Sequence, residues 1–131
     1  MFREDFVWGV ASSAYQVEGT DAADGRGACV WDMFAADGRV FEHQNADTSC
    51  DHMHHYKEDI ALMRHLGIRA YRFSLNWARI LPEGTGRVNE KAIAMYRDMI
   101  LTMKENGITP YLTLFHWEFP QALYERGGWQ N

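Results

Sequence analysis

The chain has 131 residues, 47% of them hydrophobic, and a net charge of −5 spread without blocks along its length. That is enough apolar material for one packed domain and excludes a disordered or low-complexity segment. No basic cluster is present, which argues against a nucleic-acid partner, and no apolar run is long enough to span a bilayer.

The opening Met1-Phe2-Arg3-Glu4-Asp5 lacks the apolar stretch of a secretory signal, so a cytoplasmic location is expected. Cys29 and Cys50 have neither zinc-knuckle nor redox-pair spacing, and in a reducing compartment they read as free thiols. Phe6 to Ala11 reads as a first strand ending in small residues. From Ser12 to Cys50 no period persists, although apolar residues such as Tyr15, Val17, Trp31 and Phe34 recur. A connection of that length with buried anchors predicts an ordered functional loop carrying short helical turns. From His54 a helical stripe follows (Tyr56, Ile60, Met63, Leu66), stopped by Gly67 with Ile68 placed for the accompanying contact.

The next strand, Arg69 to Ser74, carries Arg72 on the face that also holds Ala70 and Ser74, because alternate residues point the same way. A guanidinium among small neighbours loses hydration and needs an anion. Three readings stay open: a structural ion pair, a side chain snorkelling to the sheet edge, or an arginine awaiting a carboxylate from another strand. A turn over Asn76–Pro82 and glycines at 84 and 86 lead to a second helix, which Asn89 caps, with Ile93, Tyr96, Ile100 and Met103 as its stripe. It stops at Asn106-Gly107-Ile108, and a third strand runs over Pro110–His116.

Gly67-Ile68 and Gly107-Ile108 lie 40 residues apart, each closing a helix and opening a strand. Strands joined through such helices run parallel, so the fold class is α/β. No dinucleotide or phosphate-loop fingerprint follows the first strand. A long first loop and polar or aromatic residues at the ends of strands two and three suit a (β/α)8 barrel, whose sites lie on that rim. A whole barrel takes roughly 250 residues, so residues 1–131 are expected to form one partial barrel domain of about three βα units. Its uncovered strand edges invite self-association with other copies.

His116 and Trp117 fall at the rim after strand three, and Gln16 lies just past strand one, its amide suited to adjacent sugar hydroxyls. The run Phe6-Val7-Trp8-Gly9-Val10-Ala11-Ser12-Ser13-Ala14-Tyr15-Gln16-Val17-Glu18-Gly19 closely resembles the N-terminal signature of family 1 glycoside hydrolases, the β-glucosidase family. The resemblance continues through Val30-Trp31-Asp32-Met33-Phe34, Cys50-Asp51-His52, Tyr71-Arg72-Phe73-Ser74, His116-Trp117-Glu118-Phe119-Pro120 and Gly127-Gly128-Trp129, in family order and spacing. It implies a retaining glycosidase on a (β/α)8 barrel, with a β-glucoside or oligosaccharide as substrate and no cofactor. By the same resemblance Gln16 and His116 hold sugar hydroxyls, Trp117 sits beside them, and Arg72 lies against the nucleophilic glutamate. Tyr15-Gln16 and His116-Trp117 resemble the plain rather than the 6-phospho branch.

Retaining hydrolysis needs two carboxyl groups about 5 Å apart. The family carries them in Asn-Glu-Pro and Glu-Asn-Gly motifs that follow barrel strands four and seven. Asn-Glu-Pro does not occur in this sequence, and its one Glu-Asn-Gly, Glu105-Asn106-Gly107, closes the second helix instead of following a strand. Glu18 and Glu118 match positions without catalytic duty, and Glu18 reads as a hydrogen-bonding partner near its loop. The 131 residues alone are therefore expected to be inert, supplying part of the sugar shell. The alternative is a non-catalytic sugar-binding or self-assembling fragment. Asp51-His52-Met53-His54-His55, with His43 upstream, falls short of the three or four converging ligands of a metal site, so no metal is expected and Asp51 is read as a helix cap.

Overall fold

A computed structural model describes residues 1–20 and 22–131. Three parallel strands form one sheet in the order β1-β2-β3, with β1 at Val10–Ala11, β2 at Ala70–Ser74 and β3 at Thr109–Thr113. The connection after β1 holds a short α1 (Ala14–Val17), a 3-10 turn (Ala22–Asp24), α2 (Val30–Ala36) and a second 3-10 turn (Phe41–His43). It leads into α3 (His52–His65). After β2 come α4 (Trp77–Ile80) and α5 (Glu90–Glu105), and after β3 come α6 (Gln121–Glu125) and a closing 3-10 turn (Gly128–Gln130). No helix among the described residues is long and apolar enough to cross a membrane.

Both long helices end by the same local device. Gly67, at φ +76°, donates to the Arg64 carbonyl while Ile68 donates to that of Met63. Gly107, at φ +72°, repeats this on Lys104, with Ile108 on Met103. These are Schellman stops, and each aims the chain straight into a strand. The core lies where α3 and α5 cover β2: Ile60, Tyr71, Phe73, Tyr96, Met99, Met103 and Ile108 pack together. Tyr71 and Phe73 thus face the helices, and alternation turns Ala70, Arg72 and Ser74 to the opposite face.

Several element bounds differ from the sequence expectations. Phe6 to Trp8 are not part of β1, because the register Val10↔Tyr71 carries them past the start of β2, and their rings instead cluster with Phe2. β3 stops at Thr113 because its partner β2 stops at Ser74. On α5 the buried stripe is Ala92, Tyr96, Met99 and Met103, with Ile93 exposed, and Leu66 is likewise exposed beyond the end of α3. Asp51 precedes α3 in a left-handed conformation, and its carboxylate takes His54 and His55 rather than a helix N–H. His52 pairs with Asp59 at 2.6 Å. Among the described residues no three His, Cys, Asp or Glu side chains converge on a point where a metal could sit. Both cysteines are free thiols, Cys29 buried and Cys50 exposed.

Candidate functional site

The sheet's C-terminal rim opens into a cleft of about 490 Å³, lined among others by Ser13, Tyr15, Gln16, Trp31, His116 and Trp117. Three of the four residues singled out from the sequence therefore meet in one space, although Gln16 and His116 come from different loops. The Gln16 loop follows β1, and its backbone is held by Ser49 Oγ, which donates to the Gln16 carbonyl at 2.5 Å. His116 and Trp117 follow β3. Trp117 is 69% exposed and takes a positive φ of 75°, a strained conformation for a bulky residue. Burial, helped by the negative charge of Asp32, pushes the Tyr15 hydroxyl up to about 12, so it stays neutral on the cleft wall.

Arg72 is not among the cleft walls. It is half-buried on the inner sheet face, and its guanidinium donates to the Ser12 carbonyl at 3.3 Å, with no ion pair to any described carboxylate. Of the three readings left open by the sequence, a structural ion pair within the described residues is therefore set aside.

Beneath the rim lies a polar network of Arg79, Glu18, Asp24 and Tyr96, side chains that the sequence gives no reason to connect. Arg79, 1% exposed, donates through Nε to Glu18 at 3.1 Å, through Nη2 to the Gly19 carbonyl at 2.9 Å, and through Nη1 to the Asp24 carboxylate. The Tyr96 hydroxyl donates to the other Glu18 oxygen at 2.7 Å and accepts from the Asn76 N–H. Glu18 was expected only to bond near its own loop, yet it gathers α4 and α5 onto the first loop. Tyr96 sits in an apolar stripe where a hydroxyl is out of place, and that was the available signal.

Burial pushes the Glu18 carboxyl up to about 7, against the opposing pull of Arg79 and Tyr96. The folded chain thus holds this proton more tightly than the unfolded one, so the contribution is complete below the unfolded value of 4.5 and is lost as pH rises toward 7. Stability should fall by up to about 3 kcal/mol across that window. Urea titrations at several pH values would show the slope, and Glu18→Gln should flatten it. An equal slope in that variant would assign it to other groups.

The chain matches the model of glycosyl hydrolase family 1 over residues 1–131. The chain belongs to that family. Its relatives include beta-glucosidase A of Acetivibrio thermocellus, 47% identical over 99% of this chain and 29% of the relative. Beta-glucosidase A of Thermotoga maritima is 50% identical, again over 99% of this chain and 29% of the relative. A solved structure of the Thermotoga maritima beta-glucosidase in complex with deoxynojirimycin superimposes with a TM-score of 0.95 at 50% identity, over 99% of this chain and 30% of that one. The chain thus spans less than a third of the length of these family 1 relatives. Its three parallel strands and their helices are the N-terminal part of the family's (β/α)8 barrel.

Proposed function

We propose that residues 1–131 form a single partial barrel domain supplying one wall of a β-glucoside site. The parent reaction is retaining hydrolysis: acid-assisted attack on the anomeric carbon, a glycosyl-enzyme intermediate, then its hydrolysis by water. The observation that carries this reading is the convergence of Gln16, His116 and Trp117 on one cleft in a family 1 chain. Gln16 offers two donors and an acceptor to vicinal hydroxyls, His116 a ring nitrogen, and Trp117 an apolar face for a sugar ring. Arg72, unpaired to a carboxylate in the described residues, supports the nucleophile when that glutamate is present. Asn-Glu-Pro is absent from the 131 residues, and their one Glu-Asn-Gly, Glu105 to Gly107, closes α5 ahead of β3 on the side away from the rim, so the wall binds and orients but performs no chemistry alone.

Incubation of the purified chain with an aryl β-glucoside should give no turnover above buffer. Titration with deoxynojirimycin, followed by tryptophan fluorescence, should give a saturable change that Gln16→Ala abolishes. A flat response from the unaltered chain would overturn the binding reading, and robust turnover would overturn the inert one.

A second reading, self-association, is favoured by the apolar side chains at the sheet's far edge. Among the described residues no strand pairs with β3 on its far side, and Tyr111, Leu112 and Leu114 are exposed there. Light scattering that grows with concentration would support it.

A further inference from the structure

Glu118 is fully buried, with 0% exposure, and follows directly after two cleft residues. Its carboxylate is spent entirely on the polypeptide around the cleft. One oxygen accepts the Tyr15 N–H at 3.1 Å and the Ser74 hydroxyl at 3.2 Å, while the other accepts the His116 N–H at 3.1 Å. Ser74 Oγ in turn accepts the Ala14 N–H at 2.7 Å. One side chain therefore ties the loop after β1, the end of β2 and the loop after β3. The tie spans Trp117, the residue at φ +75° between His116 and Glu118, and a Phe119 N–H bond to the Trp117 carbonyl at 2.8 Å tightens the same turn.

We infer that Glu118 is a positioning residue: its carboxylate clasps the Tyr15 and His116 backbones and so fixes the separation and aim of Gln16 and His116 across the cleft. Buried carboxylates are costly unless their lone pairs are filled, and here donors from three different segments fill them. The inference rests on the proposed sugar-binding reading for its consequence, but the clasp stands on geometry alone. An isosteric Glu118→Gln change keeps volume and one acceptor oxygen, yet turns a donor toward one of the two backbone N–H groups. Glu118→Ala removes both acceptors.

Amide hydrogen exchange by NMR on the 131-residue chain tests the clasp. In Glu118→Gln one of the Tyr15 and His116 amides should exchange roughly tenfold faster or more, while Met103 and Ile108 amides in the core stay unchanged; in Glu118→Ala both should accelerate. Deoxynojirimycin affinity should fall roughly tenfold in Glu118→Gln, measured where the variant is still fully folded, a loss that reduced global stability alone would not give. Unchanged exchange at both amides, or a uniform acceleration through the core, overturns the inference. So does full affinity in a variant whose clasp is open. If a variant fails to fold, the unaltered chain still decides: scalar coupling across the hydrogen bonds from the Tyr15 and His116 nitrogens to the Glu118 carboxyl carbon should be measurable, and its absence counts against the clasp. Should the unaltered chain ignore deoxynojirimycin, the sugar-binding reading fails, while exchange and coupling still settle whether Glu118 holds the two loops.

Discussion

Replacing Arg79 by methionine is expected to destabilise the fold by about 3–5 kcal/mol at pH 8, the usual consequence of removing one partner from a buried ion pair. The guanidinium holds Glu18, Asp24 and the Gly19 carbonyl at once, and its removal leaves Glu18 buried with the Tyr96 hydroxyl as its remaining partner. Methionine replaces much of the volume, so cavity formation is a minor part of the loss. The cost should shrink toward pH 5, because Glu18 can then take a proton instead of carrying an unpaired charge. Urea denaturation at both pH values reads this directly. A Glu18→Gln change added to Arg79→Met should recover much of the loss, since the two sites are in contact and couple. A loss below about 1 kcal/mol at pH 8 would mean that the pair is neutral to stability.

Gly27→Ala should cost about 3 kcal/mol or more through overpacking. A Cβ on Gly27 would lie 2.1 Å from the Pro82 carbonyl oxygen and 2.8 Å from the Pro82 carbonyl carbon, both backbone atoms that cannot swing aside. Retreat is blocked as well, because the Gly27 N–H is bonded to the Ala78 carbonyl at 2.8 Å. The long first connection is therefore pressed against the α4 turn at a point where only hydrogen fits. Gly86→Ala is the control: nothing lies within 4 Å of its added carbon, and only its φ of +79° is penalised, at about 1–2 kcal/mol. Equal losses in the two variants would show that the close approach at Gly27 is relieved at little cost.

What the sequence revealed, it revealed through local rules. The two glycine stops and the strands behind them follow from bonds closed within six residues, and Asn89 caps α5 as its position suggests, accepting from the Ala92 N–H. The repeated stops also carried the α/β class, the rim positions after strands one and three brought Gln16, His116 and Trp117 to attention, and the family motifs gave those residues their roles. What escaped depends on partners far along the chain. Arg79 lies 61 positions from Glu18, and nothing in the Trp77–Ile80 turn announces that its charge is buried. Ile93 is the more apolar residue and reads as core, whereas α5 buries the small Ala92 and turns the pliable Met99 into the cluster over β2. Glu118 reads from the sequence as a rim residue beside His116 and Trp117, facing any site there, and as a poor substitute catalyst, whereas it is fully buried and off the cleft wall. Its contacts with Tyr15, Ser74 and His116 bring together three segments that no single window of sequence contains.

The twin helix stops also bear on the order in which the molecule assembles. β2 and β3 are separated by one long helix whose end is settled locally, so their pairing closes a modest loop early. Val10 must instead find Tyr71 across the entire first connection, a slower search with fewer helical shortcuts. Refolding should therefore complete its C-terminal half ahead of its N-terminal strand, and the cleft, having one wall on each side of that divide, is the last feature to take shape.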